Sequence, residues 1–330
     1  MADVKISALT QLTGAGSVAT ADEFVIVDKS DPTMSAVSGT DKRITAGDLA
    51  TAVFEQPLPD FTTTTPTAPA TGLKLFVRNR PAGFRRLALV DPDGRDAVAQ
   101  AGLWNNTVAM MLPNGNATTL SVIRMTATAI GTAAARNWAN TDLLKTSKRL
   151  GYPSAATAGA NGGVKHNVLQ WWRGSRSGEG GFFCAIRFGF ETIPATRRWF
   201  VGMYGSTTNP GNVEPSTLLN LCGIGQDLAD TVPQFIHNDG TATATKSAAT
   251  GVANPTTAKV YEARIFCKPN DTAITMSIQD LNVSAAVVYS TTTKIPGNTV
   301  GLLPMIWANN GTTAALIDPV LIAMYLETDY

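Results

Sequence analysis

The residues able to do chemistry are few. His166 and His237 are the only histidines, and nucleophilic catalysis needs a hydroxyl or thiol beside such a base. Neither sits in a motif that supplies one. His237 runs into Asn238-Asp239-Gly240, whose turn chemistry accounts for its surroundings. Cys184, Cys222 and Cys267 are widely separated, each preceded by an apolar residue, and form no C-x-x-C pair. They read as buried free thiols, not as a disulfide or metal framework. Two distant histidines and three distant thiols give no metal-ligand spacing. Asp91, Asp93 and Asp96 around Gly94 share the outline of a Ca²⁺ loop but lack its terminal Glu, so a tight turn is expected there. Gly223-Ile224-Gly225 and Gly14-Ala15-Gly16 lack the third glycine and the strand-loop-helix context of a nucleotide fingerprint. No cofactor and no metal are expected.

Two kinds of site remain. Glycan hydrolysis would need two carboxyl groups roughly 5–9.5 Å apart; Glu191, Glu214, Asp227 and Asp230 are available, but spacing along the chain does not pair them. Binding without catalysis fits better. Trp171-Trp172-Arg173-Gly174 and Trp307-Ala308-Asn309-Asn310-Gly311 set indoles beside polar residues, a mixture that can stack on sugar rings while amides and guanidinium meet hydroxyls. Trp171, Trp172, Arg173, Trp307, Asn309 and Asn310 are therefore the expected glycan or receptor contacts. Core or interface tryptophan is the competing reading.

These residues have to be positioned by a chain of 330 residues, 44% hydrophobic, with a formal charge of +1. Only 15% of residues are charged, against about 25% in an ordinary soluble domain. The near-balance leaves no basic cluster to neutralise phosphates, so nucleic acid is not an expected partner. No apolar run approaches the roughly 18 residues of a membrane span, and Met1 to Lys5 lacks the layout of a signal peptide. Synthesis in a cytoplasm without general export is the expectation. The length suggests two or three units.

Residues 1–56 read as a small N-terminal unit: a strand near Val4–Ser7, another at Asp22–Asp28, and a short helix from Arg43 to Phe54 with Thr45 as N-cap. Fewer than about 60 residues hold little core, so this unit should need a partner surface. Residues 57–71, with four prolines and a run of threonines, form an extended linker. Residues 72–156 alternate as strand, turn, strand and read as a β-rich collar, with a short helix between Thr132 and Leu150 ending at Gly151. The small residues of 155–163 mark a boundary. From 157 to 330, apolar strands recur between turns with no amphipathic helix among them: Phe182–Phe190, Trp199–Tyr204, Leu218–Gly225, Gln234–His237, Val260–Cys267, Ala273–Asp280, Leu302–Trp307 and Ile317–Leu326. That pattern predicts a mainly β fold, an antiparallel two-sheet sandwich of jelly-roll or lectin-like type. Doubly wound α/β folds are excluded.

Met1–Leu9, with Phe24–Asp28 and Arg43–Leu49, resembles the head of bacteriophage tail-fibre and tailspike proteins, the segment that docks a fibre onto the virion. The stretches Gly72–Arg80, Leu112–Thr119, Arg149–Tyr152, Val213–Leu218, His237–Gly240 and Tyr325–Asp329 are similar to a family of tailed-phage virion proteins. The resemblance implies a homotrimeric virion structural protein, and the lack of a catalytic motif makes a non-enzymatic role the expectation. Its N-terminus would dock on a tail, portal/adaptor or capsid protein through Ile6, Leu9, Phe24, Ile26, Ile44 and Leu49. Its C-terminal sandwich would adsorb to a host-surface glycan. A head fibre or decoration protein without receptor role is one alternative. A polysaccharide depolymerase is the other, although no internal repeat of the long β-helix kind appears.

Overall fold

The computed structural model describes residues 106–329 except 177–178 and 284–285, the strands at 23–26, 42–45, 74–79, 85–90 and 96–98, and residues 67 and 69–71. The chain divides into two compact units, residues 1–61 and 62–330. In the first, β1 (Glu23–Ile26) and β2 (Lys42–Thr45) pair antiparallel, with Phe24 opposite Ile44. Of the helix expected over Arg43–Phe54, Arg43–Thr45 is strand in β2 instead; the residues beyond Thr45, the strand near Val4, and Ile6, Leu9 and Leu49 lie outside the described residues.

In the second unit, β3 (Lys74–Asn79), β4 (Arg85–Val90) and β5 (Asp96–Val98) make a three-stranded antiparallel sheet whose Phe76, Ala88 and Val90 are buried together. The hairpin read from Leu73–Arg80 and Arg86–Val90 is present, with Lys74 opposite Val90. The Asp91–Asp93 turn lies outside the described residues.

The rest is a two-sheet antiparallel β-sandwich. One sheet has nine strands. These are β6 (Asn106–Pro113), β7 (Leu120–Ile123), β9 (Ala134–Ala135), β10 (Leu150–Gly151), β12 (Gly180–Thr192), β17 (Tyr261–Cys267), β18 (Ile274–Asp280), β19 (Ala286–Thr291) and β21 (Asp318–Asp329). They run β19-β18-β17-β12-β21, after which the far edge of β21 is shared between β10-β9 and β6-β7. The facing sheet has seven, in the order β16 (Thr245–Ala248), β15 (Gln234–Asn238), β14 (Leu221–Gln226), β13 (Arg198–Tyr204), β20 (Leu303–Asn309), β11 (Asn161–His166) and β8 (Ala127–Ile130).

Period-two alternation builds the layer between them. Cys184, Ile186, Phe188 and Phe190 of β12 all point inward and are fully buried, as are Trp199, Val201 and Met203 of β13. Phe188 lies 5.7 Å from Trp199 and 5.7 Å from Tyr261 between ring centroids, pairs that contribute about 0.5–1.5 kcal/mol each beyond area burial. The three thiols are buried and free; burial raises all three, Cys267 to about 11.

Two local expectations change. The helix between Thr132 and Leu150 shrinks to one turn, α1 (Leu143–Thr146), capped by Asp142, whose Oδ1 accepts the Lys145 N–H at 2.9 Å. Ala134-Ala135 and Leu150-Gly151 on either side are drawn into the nine-stranded sheet instead. Nor does a boundary fall at 155–163. Asn161–Lys165 pairs with β20, and strands from 106 to 151 pair into the same sheets as those beyond 180. The sandwich therefore takes in 106–156 as well as 157–330.

Candidate functional site

Both faces of β13 and β20 are buried, which is why Trp199–Tyr204 and Leu302–Trp307 read as continuous apolar runs. On the outer face of the seven-stranded sheet, Phe200, Tyr204, Leu221, Ile236, Leu303, Met305 and Trp307 form a second apolar layer with Leu218 and Val213. The segment between β13 and β14 supplies those last two residues and roofs this layer, with one 3-10 turn at Pro215–Thr217. Polar ties hold the roof down. Buried Lys165, its pKa lowered by burial, donates its Nζ to the Thr207 carbonyl. Arg198 Nε meets Glu214 Oε1 at 2.6 Å and Arg198 Nη1 meets Asn212 Oδ1 at 2.8 Å. The Ser216 N–H donates to Asp227 Oδ1 at 3.0 Å.

The carboxylates singled out for hydrolysis are held in the same way. Glu214 is bound by Arg198 and also accepts the Leu228 N–H at 2.8 Å. Asp227 and Asp230 share Lys246, at 2.8 and 2.7 Å. Glu191, from the end of β12, pairs with buried Arg149. The structure thus gathers Glu214, Asp227 and Asp230 around the roof, and each already has a cation against it.

The six expected contact residues separate into two groups. Trp171 is buried in the layer between the sheets, edge-on to His166 at 5.1 Å, and makes an isolated bridge with Leu302. Arg173, 8% exposed, donates Nη1 to the Pro296 carbonyl at 2.8 Å and Nη2 to that of Asp271. Trp172 alone of this group is half-exposed. Trp307 lies in the other layer with no exposed surface, its Nε1 donating to Asn161 Oδ1 at 3.0 Å. Asn309 Nδ2 donates to that same oxygen at 3.0 Å and to the Gly159 carbonyl at 2.9 Å. Asn310 Nδ2 meets the carbonyls of Thr157 and Ala315 at 2.7 and 2.6 Å. Asn309 and Asn310 therefore pin the 155–160 loop, Trp307 ties to the start of β11, and the three are buried in this chain. The histidines are also engaged: His166 accepts the Thr126 N–H at 2.9 Å, and His237 contacts the Lys294 carbonyl and Tyr289 hydroxyl.

A large exposed aromatic lies where the sequence pattern suggests a helix. Trp138 is 59% exposed on the loop before α1, beside the turn joining β6 to β7. The Asn-Trp-Ala-Asn-Thr sequence was the available signal, an aromatic between amides. A cleft of about 420 Å³ opens between β7 and β8, lined by Leu120, Val122, Met125, Ala127, Leu150 and Tyr152 among others. Among the described residues no group of three or more His, Cys, Asp and Glu side chains is placed to hold a metal, and no helix is long and apolar enough to cross a membrane.

The strand pairings define the class: an antiparallel two-sheet β-sandwich. No protein-family model and no curated protein matches the chain. Among solved structures it is similar to a protein of unknown function from Shewanella oneidensis MR-1, at TM-score 0.48 and 11% identity over 70% of this chain and 90% of that one. It is also similar to winged bean acidic lectin complexed with methyl-alpha-D-galactose, at TM-score 0.45 and 11% identity over 68% and 98%. A third is lectin I from Ulex europaeus in complex with the methyl glycoside of alpha-L-fucose, at TM-score 0.43 and 11% identity over 68% and 99%.

Proposed function

We propose that the chain is a non-enzymatic tailed-phage virion protein, a trimeric fibre or short spike. Its N-terminal unit docks on the particle and its sandwich adsorbs to a host-surface glycan. The docking half rests on the resemblance of Met1–Leu9, Phe24–Asp28 and Arg43–Leu49 to fibre heads. The observation that carries the choice of adsorption over cleavage is the ion pairing of Glu191, Glu214, Asp227 and Asp230. A hydrolytic pair needs one carboxyl kept protonated and the other free to reach substrate. A carboxylate held by a cation is occupied and not free to reach substrate.

The test uses the full chain on immobilised bacterial surface polysaccharides, with free reducing ends assayed in the same wells. Retention without new reducing ends supports the reading. New reducing ends would instead identify a depolymerase. A chain that binds no polysaccharide, yet labels particles when used as an antibody target, would be a head fibre or decoration protein.

A further inference from the structure

We infer that the Trp138 loop is a platform for a neutral hexose, the sugar-contacting element of the adsorption surface; this rests on the glycan-binding reading above. The indole is held outward by its backbone. The Trp138 N–H donates to Asn116 Oδ1 at 3.1 Å, and the Ala139 N–H donates to the Lys145 carbonyl at 3.1 Å. The carbonyl of Asn137 accepts Arg149 Nη1 at 3.3 Å. Arg149 is itself 3% exposed and anchored by Glu191. The peptide groups on both sides of the indole are therefore fixed before any ligand arrives, and little ordering cost remains for binding.

Its neighbours supply the matching polar chemistry. Asn137 and Asn140 are exposed, and neither side-chain amide makes a hydrogen bond among the described residues. Asn116 keeps its Nδ2 after its oxygen is used. The turn 114–119 and the loop 137–141 contain no charged residue. An indole face receives the C–H face of a pyranose while amides, each both donor and acceptor, meet its hydroxyls. The charged residues that flank the loop, Arg136 and Asp142, are paired with Asp318 and Lys145, so the loop itself suits an uncharged sugar better than an acidic one.

The experiment follows the indole N–H resonances of the full chain during titration with the methyl glycosides of galactose, glucose, mannose and fucose, one at a time at millimolar concentration. The Trp138 resonance shifts saturably with at least one of them. Trp138→Ala weakens binding of that glycoside by about tenfold or more, whereas Trp138→Phe keeps it within about threefold. No movement of the Trp138 resonance with any of the four overturns the assignment. So does a shift that follows protein concentration without sugar, which would mark an interface between copies. If Trp138→Ala still binds bacterial polysaccharide as the parent does, this inference fails and the adsorption reading stands. If the parent binds no polysaccharide, the adsorption reading itself has failed.

Discussion

The indole N–H of Trp307 and the side-chain oxygen of Asn161 meet at 3.0 Å across the β20–β11 ladder, and the same oxygen also accepts Asn309 Nδ2. One amide thus satisfies two buried donors, joining the apolar layer under the roof to the start of β11 and the loop before it. Asn161→Ala leaves the Trp307 indole N–H without an acceptor, at a cost of about 1–3 kcal/mol, while Asn309 Nδ2 keeps the Gly159 carbonyl. Denaturant unfolding should show Asn161→Ala losing a corresponding amount, and Asn140→Ala on the exposed loop losing almost none.

The roof over the seven-stranded sheet hangs on few polar ties. Removing the Glu214 carboxylate strands Arg198, which is largely buried, and frees the Leu228 N–H. Glu214→Ala should cost about 1–3 kcal/mol. Amide exchange should accelerate in residues 205–220 before it does in β12 or β21. Uniform acceleration across both sheets would mean that the roof does not open as a separate unit.

Glycine at position 311 answers to space as well as to torsion. Its φ is +67°, and a Cβ would lie 2.1 Å from the Thr196 carbonyl oxygen. Gly115 also has positive φ, +80°, but nothing within 4 Å of a Cβ. Gly115→Ala should cost about 1–2 kcal/mol from backbone strain alone, and Gly311→Ala distinctly more, with both measured by thermal unfolding. Equal losses would show that the 311 turn relaxes freely.

Acid should act through His237. Burial between the sheets lowers its pKa, outweighing the carbonyls of Lys294 and Thr293 that favour the charged ring. The unfolded chain, near pH 6.5, then binds this proton more readily than the folded one. Stability from this group is present above about pH 6.5 and is lost as pH falls through the folded value. In His237→Gln the slope of stability against pH should flatten below about pH 6.5, which denaturant midpoints read directly. An unchanged slope would place the titration on another group.

The sandwich was legible because its strands carry their evidence locally. Phe182–Phe190 and Ala273–Asp280 alternate, turns punctuate them, and the turn at Asn238-Asp239-Gly240 forms as its chemistry requires, with the Gly240 N–H on Asn238 Oδ1 at 2.6 Å. What stayed hidden depends on distant partners. Asn161-Gly162-Gly163 looks like a flexible boundary until β20 is beside it; Gly163 then becomes necessary, because a Cβ there would meet the Ile306 carbonyl at 2.1 Å. The tryptophan-asparagine clusters had the composition of a sugar site. Composition does not say which side of a sheet a residue faces, and Trp307, Asn309 and Asn310 turned to the start of β11 and the loop before it. Trp138 was obscured by its Ala- and Asn-rich surroundings, which read as helix.

The central claim is adsorption by a trimer without cleavage, and sedimentation in the presence of a bound polysaccharide tests it most directly. The account predicts a species of about three times the 34.7 kDa chain mass that co-sediments with the polysaccharide and leaves its length unchanged. A monomer, or a polysaccharide that shortens while the protein is present, would contradict it.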